Sequence, residues 1–227
     1  MRQFLVALVV AGMTAAGPAA AHSLQELQTQ LGDREQYFQP LDRQTPDFAL
    51  QDTDGRAVTL RSLRGKVVVL HFIYTQCPDF CPLHAEKIAE VQRMVNESPM
   101  RDRVQFITIT TDPLRDTPEV MRDYGPAHGL DPFNWIFLTS GPEQPEKTRE
   151  LAKAFGHLFT LTDDGFQIHG IVTHVIDREG WLRANFHGLK FEPTNLVVYI
   201  NALTNDLHAG PHPDEPESFW DRLKALF

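Results

Sequence analysis

Apolar positions along this chain fall into short runs of two kinds, and the kinds alternate. Residues 67–74 form a near-continuous stretch of β-branched and aromatic side chains, the pattern of a strand buried on both faces. Residues 104–110 and 134–138 repeat it. After the first of these runs, Leu83, Ile88, Val91, Met94 and Val95 lie close to one face of a helix. A second helix is expected from Thr117, where Thr117-Pro118-Glu119 puts a capping residue ahead of Pro at the first helical position. A third covers residues 145–155. Residues 171–177 and 181–186 then flank Arg178-Glu179-Gly180 as a hairpin, and residues 195–203 read as a last helix. Ahead of all these, residues 48–50 and 57–60 flank Asp52-Thr53-Asp54-Gly55, a hairpin with Asp-Gly at its turn. Strand and helix in alternation, closed by a hairpin and a helix, predict an α/β fold. Its mixed central sheet would carry flanking helices and an extra N-terminal hairpin.

The ends differ from this body. Arg2 and Gln3 precede an apolar run over residues 4–13, and Ala19-Ala20-Ala21 supplies a small-residue cleavage pattern. Residues 1–21 therefore read as a secretory signal peptide, with an uncleaved membrane anchor as the alternative. The run is about half the ~20 apolar residues that span a bilayer. Residues 22–44 are polar, with Leu24, Leu27 and Leu31 at helical spacing, and read as a peripheral N-terminal arm. Residues 45–205 carry the fold, and residues 206–227 form a tail rich in His, Pro and acidic residues. Export to the periplasm is the expected location.

Composition narrows the chemistry. Asp plus Glu number 30 against 21 Lys plus Arg, a net charge of −9, which argues against a nucleic-acid partner, since such binding needs a basic face. The only two cysteines are Cys77 and Cys81. They exclude a disulfide-stapled mini-domain, a four-cysteine iron–sulfur centre and an all-cysteine zinc site in one chain. Both stand where the first central strand gives way to its helix, the edge at which open α/β sheets hold ligands. Cys81, at the start of the helix, is expected to form a thiolate more easily than a free cysteine would, because helix N-termini favour anions. Two sulfurs four positions apart can meet one soft metal ion or each other.

The stretch Phe72-Ile73-Tyr74-Thr75-Gln76-Cys77-Pro78-Asp79-Phe80-Cys81-Pro82 resembles the signature of the Sco/SenC family. The likeness continues through Thr111-Asp112-Pro113-Leu114-Arg115-Asp116-Thr117-Pro118-Glu119 and Ile176-Asp177-Arg178-Glu179-Gly180, and more weakly through Gly188-Leu189-Lys190-Phe191-Glu192-Pro193. The resemblance implies a thioredoxin-like fold and a copper ion, Cu(I) or Cu(II), held by two Cys and one His. It also implies a role in assembling the dinuclear copper centre of cytochrome c oxidase. The expected partners are then a copper-accepting oxidase subunit or another periplasmic copper protein, and a periplasmic thiol reductant. Counting back eight residues from Asp177 places the family's His at His169, in the context Gln167-Ile168-His169-Gly170 rather than Val-Asp-His-Ser. The metal set is therefore Cys77, Cys81 and His169. Gly170-Ile171-Val172-Thr173 is similar to the thioredoxin Gly-Ile-Pro-Thr segment with Val172 in place of Pro; losing that Pro would leave room for an imidazole and a metal.

Other readings stay open beside this one. Cys77 and Cys81 could be the redox pair of a thiol–disulfide oxidoreductase that reduces a copper acceptor's cysteines, with Cys77 attacking and Cys81 resolving, or the chain could be a redox or copper sensor. His84, in the first turn after the cysteines, is a further ligand candidate, as are His22 and, in the tail, His208 and His212. His174, inside a strand, is expected to pack or face solvent. Asp116 reads as turn chemistry, Asp112 as turn chemistry or support for the site, and Asp79 as a residue that tunes the cysteines or stabilises their turn.

Overall fold

The computed structural model describes residues 23–158, 160, 161, 167, 168 and 170–205. The signal segment and the tail expected at the two ends lie outside the described residues. The chain runs α1 (Leu24–Arg34), β1 (Phe38–Gln44), β2 (Ala49–Gln51), β3 (Ala57–Thr59), β4 (Val67–Ile73), α2 (Phe80–Asn96), β5 (Val104–Thr110) and α3 (Pro118–Ala127). It continues through β6 (Trp135–Leu138), α4 (Pro145–Ala154), β7 (Thr160–Leu161), β8 (Gln167–Ile168), β9 (Val172–Ile176), β10 (Trp181–His187) and α5 (Pro193–Thr204).

Six strands form one sheet in the order β1-β10-β9-β4-β5-β6. β4, β5 and β6 are parallel, whereas β9 runs antiparallel to β4 and β10 antiparallel to β9. Every residue of β4 is buried, because it lies between β9 and β5 with helices covering both faces. Val67, Val69 and Ile73 face a core shared with α2 and α5, and Val68, Leu70 and Phe72 face one shared with α4. Burying each such side chain contributes about 1.5–3 kcal/mol, which is why this run had so little freedom to be anything else. β2 and β3 pair as the expected separate hairpin, with Gly55 at φ 78° in its turn, a conformation that glycine adopts without the steric cost of a Cβ.

Two expectations fail here. Residues 22–44 were expected as a peripheral arm, but α1 buries Leu24 and Leu31 in the main core and β1 forms the sheet's edge strand against β10. Strand β1 shows no clean alternation of apolar residues, so its pairing could not be read from pattern. In α2, Leu83 is half exposed; the buried face is Cys81, His84, Ala85, Ile88, Val91, Gln92 and Val95. Two polar residues on that face are buried because each finds a partner: Gln92 bonds Asn134 and the Asp131 backbone, and His84 bonds Thr173.

Helix α3 presses on the sheet so closely that Gly125 admits no larger residue. A Cβ there would stand 2.2 Å from the Trp135 ring. Trp135 itself is fixed, its Nε1 donating to Thr108 Oγ1 at 2.9 Å.

Candidate metal centre

β4 and β5 are parallel, so their C-terminal ends open on the same edge of the sheet. The cysteine turn leaves β4 there, and the loop from Thr111 to Thr117 leaves β5 beside it. β9 pairs Thr173 with His71, so the chain enters β9 at this edge too. Gly170, next in sequence to His169, precedes that strand. His169 itself lies outside the described residues.

Both cysteines are free thiols, Cys77 partly exposed and Cys81 buried. The Cys77 backbone N–H donates to the Tyr74 carbonyl at 3.2 Å, closing the turn. The side chains differ sharply. The Cys81 thiol donates to the Cys77 sulfur, and the backbone N–H groups of Cys81, Asp79 and Phe80 also face it; together these lower the Cys77 pKa to about 5. The same contact with Cys77 raises the pKa of Cys81, and burial and the nearby Asp116 carboxylate raise it further. The expectation that the helix start makes the Cys81 thiolate easier to form than at a free cysteine therefore fails, and the easing falls on Cys77. Cys81 belongs to the helix, but the helix's first amides point back over the turn to Cys77. The dipole acts where those N–H groups aim.

Asp116 does more than shape a turn. It is buried, accepts from the Thr75 backbone N–H at 3.2 and 3.3 Å, and accepts from the hydroxyls of Thr75 and Thr110. It thus ties the residues before Cys77 to the end of β5. Burial raises its pKa, against the pull of those bonds. Asp112 is buried too, paired with Arg115, whose Nη1 reaches Gln76 Oε1 at 3.4 Å. Sequence reasoning had weighed the aspartates but not Thr75, Thr110 and Arg115, which bind them into one frame.

Asp79, read as a tuner of the cysteines or a stabiliser of their turn, contributes its backbone N–H to Cys77 and makes no side-chain cap bond. His84 points its Nε2 at Thr173 Oγ1, 2.9 Å away, and its ring lies 4.7 Å from that of His71. Tyr124 of α3 was missed. Its hydroxyl is buried with no hydrogen-bond partner among the described residues, and burial and the charge of both sulfurs raise its pKa. A buried polar atom without a partner beside two thiols fits a centre that receives a further group. Among the described residues no group of three or more His, Cys, Asp or Glu side chains is placed to hold a metal.

The fold has counterparts among known proteins. A family model described as SCO1/SenC matches residues 34–205. The SCO1 protein homolog of Bacillus subtilis is 26% identical over 165 residues, covering 72% of this chain and 84% of that protein. The crystal structure of a SCO1/SenC family lipoprotein from Bacillus anthracis superposes with a TM-score of 0.66 at 27% identity, covering 73% of this chain and 97% of that one. The structure of Bradyrhizobium japonicum ScoI with copper bound gives a TM-score of 0.58 at 31% identity over 70% of this chain and 98% of that one. The thioredoxin-like architecture expected from the sequence is the one these relatives share, and with the family model spanning most of its length the chain belongs to the SCO1/SenC family.

Proposed function

We propose that this protein is a periplasmic copper chaperone that holds one copper ion through Cys77, Cys81 and His169. It passes the ion to an acceptor in the assembly of the dinuclear copper centre of cytochrome c oxidase. The observation that carries this reading is the free cysteine pair with one sulfur already poised as a thiolate, in a chain similar to a copper-bound relative. Thiolates are the soft donors that suit Cu(I), and adding an imidazole gives a set that also accepts Cu(II). Cys77, partly exposed, is the entry ligand. Cys81 gives up its proton as the ion binds, so loading releases protons and is suppressed at low pH. Three ligands leave the ion open to a fourth, by which an acceptor can take it through ligand exchange. Exposed Phe80 and Leu83 on the first turn of α2 and Leu114 in the neighbouring loop supply an apolar rim for a protein acceptor.

The test is copper titration of the reduced protein beside Cys77→Ala, Cys81→Ala and His169→Ala. One ion per chain is expected at this centre, lost in each variant. Tight binding that survives His169→Ala would overturn the ligand set.

The asymmetry of the two thiols favours a second reading, thiol–disulfide exchange. The Cys77 thiolate would attack a substrate disulfide and release one substrate thiol. Cys81, losing its proton, would then displace the second thiol and leave a Cys77–Cys81 disulfide, two electrons having passed to the substrate. An external thiol reductant would reset the pair. Reductase turnover that persists in His169→Ala while copper binding is lost would favour this reading over the carrier.

A further inference from the structure

On the face of the sheet away from α2, two buried histidines meet. His157 follows α4 and His174 lies in β9, and their Nε2 atoms are 2.9 Å apart. A chain of hydrogen bonds fixes which nitrogen carries each proton. His187 Nε2 donates to Gln39 Oε1 at 2.9 Å, and Asn185 Nδ2 donates to the same oxygen at 3.2 Å. That orients Asn185 so that its Oδ1 accepts from His174 Nδ1 at 2.7 Å. With its proton on Nδ1, His174 presents a lone pair on Nε2, and the His157 Nε2–H donates into it. Proteins present imidazole to metals in this way, the far ring nitrogen anchored to an oxygen and the near one offering its electron pair.

We propose that His157 and His174 form a second metal site, separate from the cysteines, for one soft monovalent cation of the Cu(I) class held linearly between the two Nε2 atoms. The charge and geometry follow from the surroundings. The described residues supply two ligands and no larger cluster, a set that suits a filled-shell monovalent ion better than zinc or Cu(II). Phe72 packs 5.0 Å from the His157 ring and Phe155 packs 4.8 Å from the His174 ring, centroid to centroid. This apolar wall makes each added unit of charge costly. Arg43, which donates to the Phe155 carbonyl at 3.4 Å, is a fixed positive charge nearby and weighs further against a divalent ion.

Metal–imidazole bonds of about 2 Å would set the two Nε2 atoms about 4 Å apart, against 2.9 Å now, so the rings separate by about 1 Å. The shift would fall to His157. It stands outside the sheet, past Gly156, which follows α4 at φ 101°, whereas His174 is held by Asn185 and by pairing on both sides of β9. On binding, the His157 proton passes from Nε2 to Nδ1. The ring stays neutral and no electron changes hands.

The proposal does not depend on the copper-carrier reading, and the test separates the two. Cys77→Ser, Cys81→Ser and His169→Ala together remove the first site. This variant is titrated with Ag(I), and with Cu(I) against a chromophoric chelator, and binding is also read as a rise in Tm. One equivalent is expected to remain. It should disappear when His174→Phe or His157→Leu is added, with circular dichroism confirming that each variant is folded. A folded triple variant that binds no Ag(I) or Cu(I) would overturn the proposal, as would binding unchanged by either added substitution. A wild-type protein whose cysteines fail to bind copper would refute the first reading and leave this one to stand on the triple variant.

Discussion

Two helices begin at the same edge of the sheet and treat their first amides differently. At α3 the Thr117 side chain accepts from the Val120 N–H, and Pro118 takes the first position. At α2 the N-cap residue Asp79 makes no side-chain bond, and the early N–H groups turn instead to the Cys77 sulfur. Every helix start leaves such donors to be satisfied. α3 satisfies one with a hydroxyl whose charge never changes. α2 spends its donors on an atom that ionises, so the same backbone need becomes control over reactivity.

The largest effect expected from this difference is on the reactivity of Cys77. Its pKa is lowered to about 5, and a thiol is reactive only when deprotonated. Its alkylation rate should be flat near neutrality and fall about 10-fold from pH 7 to about pH 4. In Cys81→Ala the midpoint moves up, because the strongest contributor to the lowering is gone. A wild-type midpoint near the ordinary value of about 8.5 would erase the contrast.

Next in size is Asp116→Ala. It removes the acceptor for the Thr75 N–H and for two threonine hydroxyls in a buried setting, at an expected cost of about 3 kcal/mol in urea unfolding at neutral pH. A loss under about 1 kcal/mol would show that the frame around the turn is not held there. The smallest effect sharpens the comparison most. Thr117→Ala should cost about 1 kcal/mol, whereas Asp79→Ala should stay within about 0.5 kcal/mol, both measured by the same unfolding assay. Equal losses would mean that the two helix starts are stabilised alike.

Much of the framework was legible because it rests on local pattern. β4, β5 and β6 were visible as apolar runs, α3 by Thr117 and Pro118, and the hairpin of β2 and β3 by its Asp-Gly turn. The cysteine pair was visible because only two cysteines exist and they fall at a strand end. The likeness over residues 72–82 and 111–119 then supplied the family. What could not be read depends on partners distant in sequence. The edge strand β1 is held by β10, more than a hundred positions away, and its own sequence shows no alternation to announce it. His174 reads from sequence only as a residue that packs or faces solvent, and only the tertiary fold brings His157, after α4, against it.

The order of strands and helices from β4 to α4 and the position of the sulfurs were written in the linear chain, since each needs only neighbouring residues or a count. Which sulfur carries the charge was decided by folding. Amide N–H groups act along their direction in space, and that direction is set by how α2 leaves β4 rather than by which cysteine belongs to the helix.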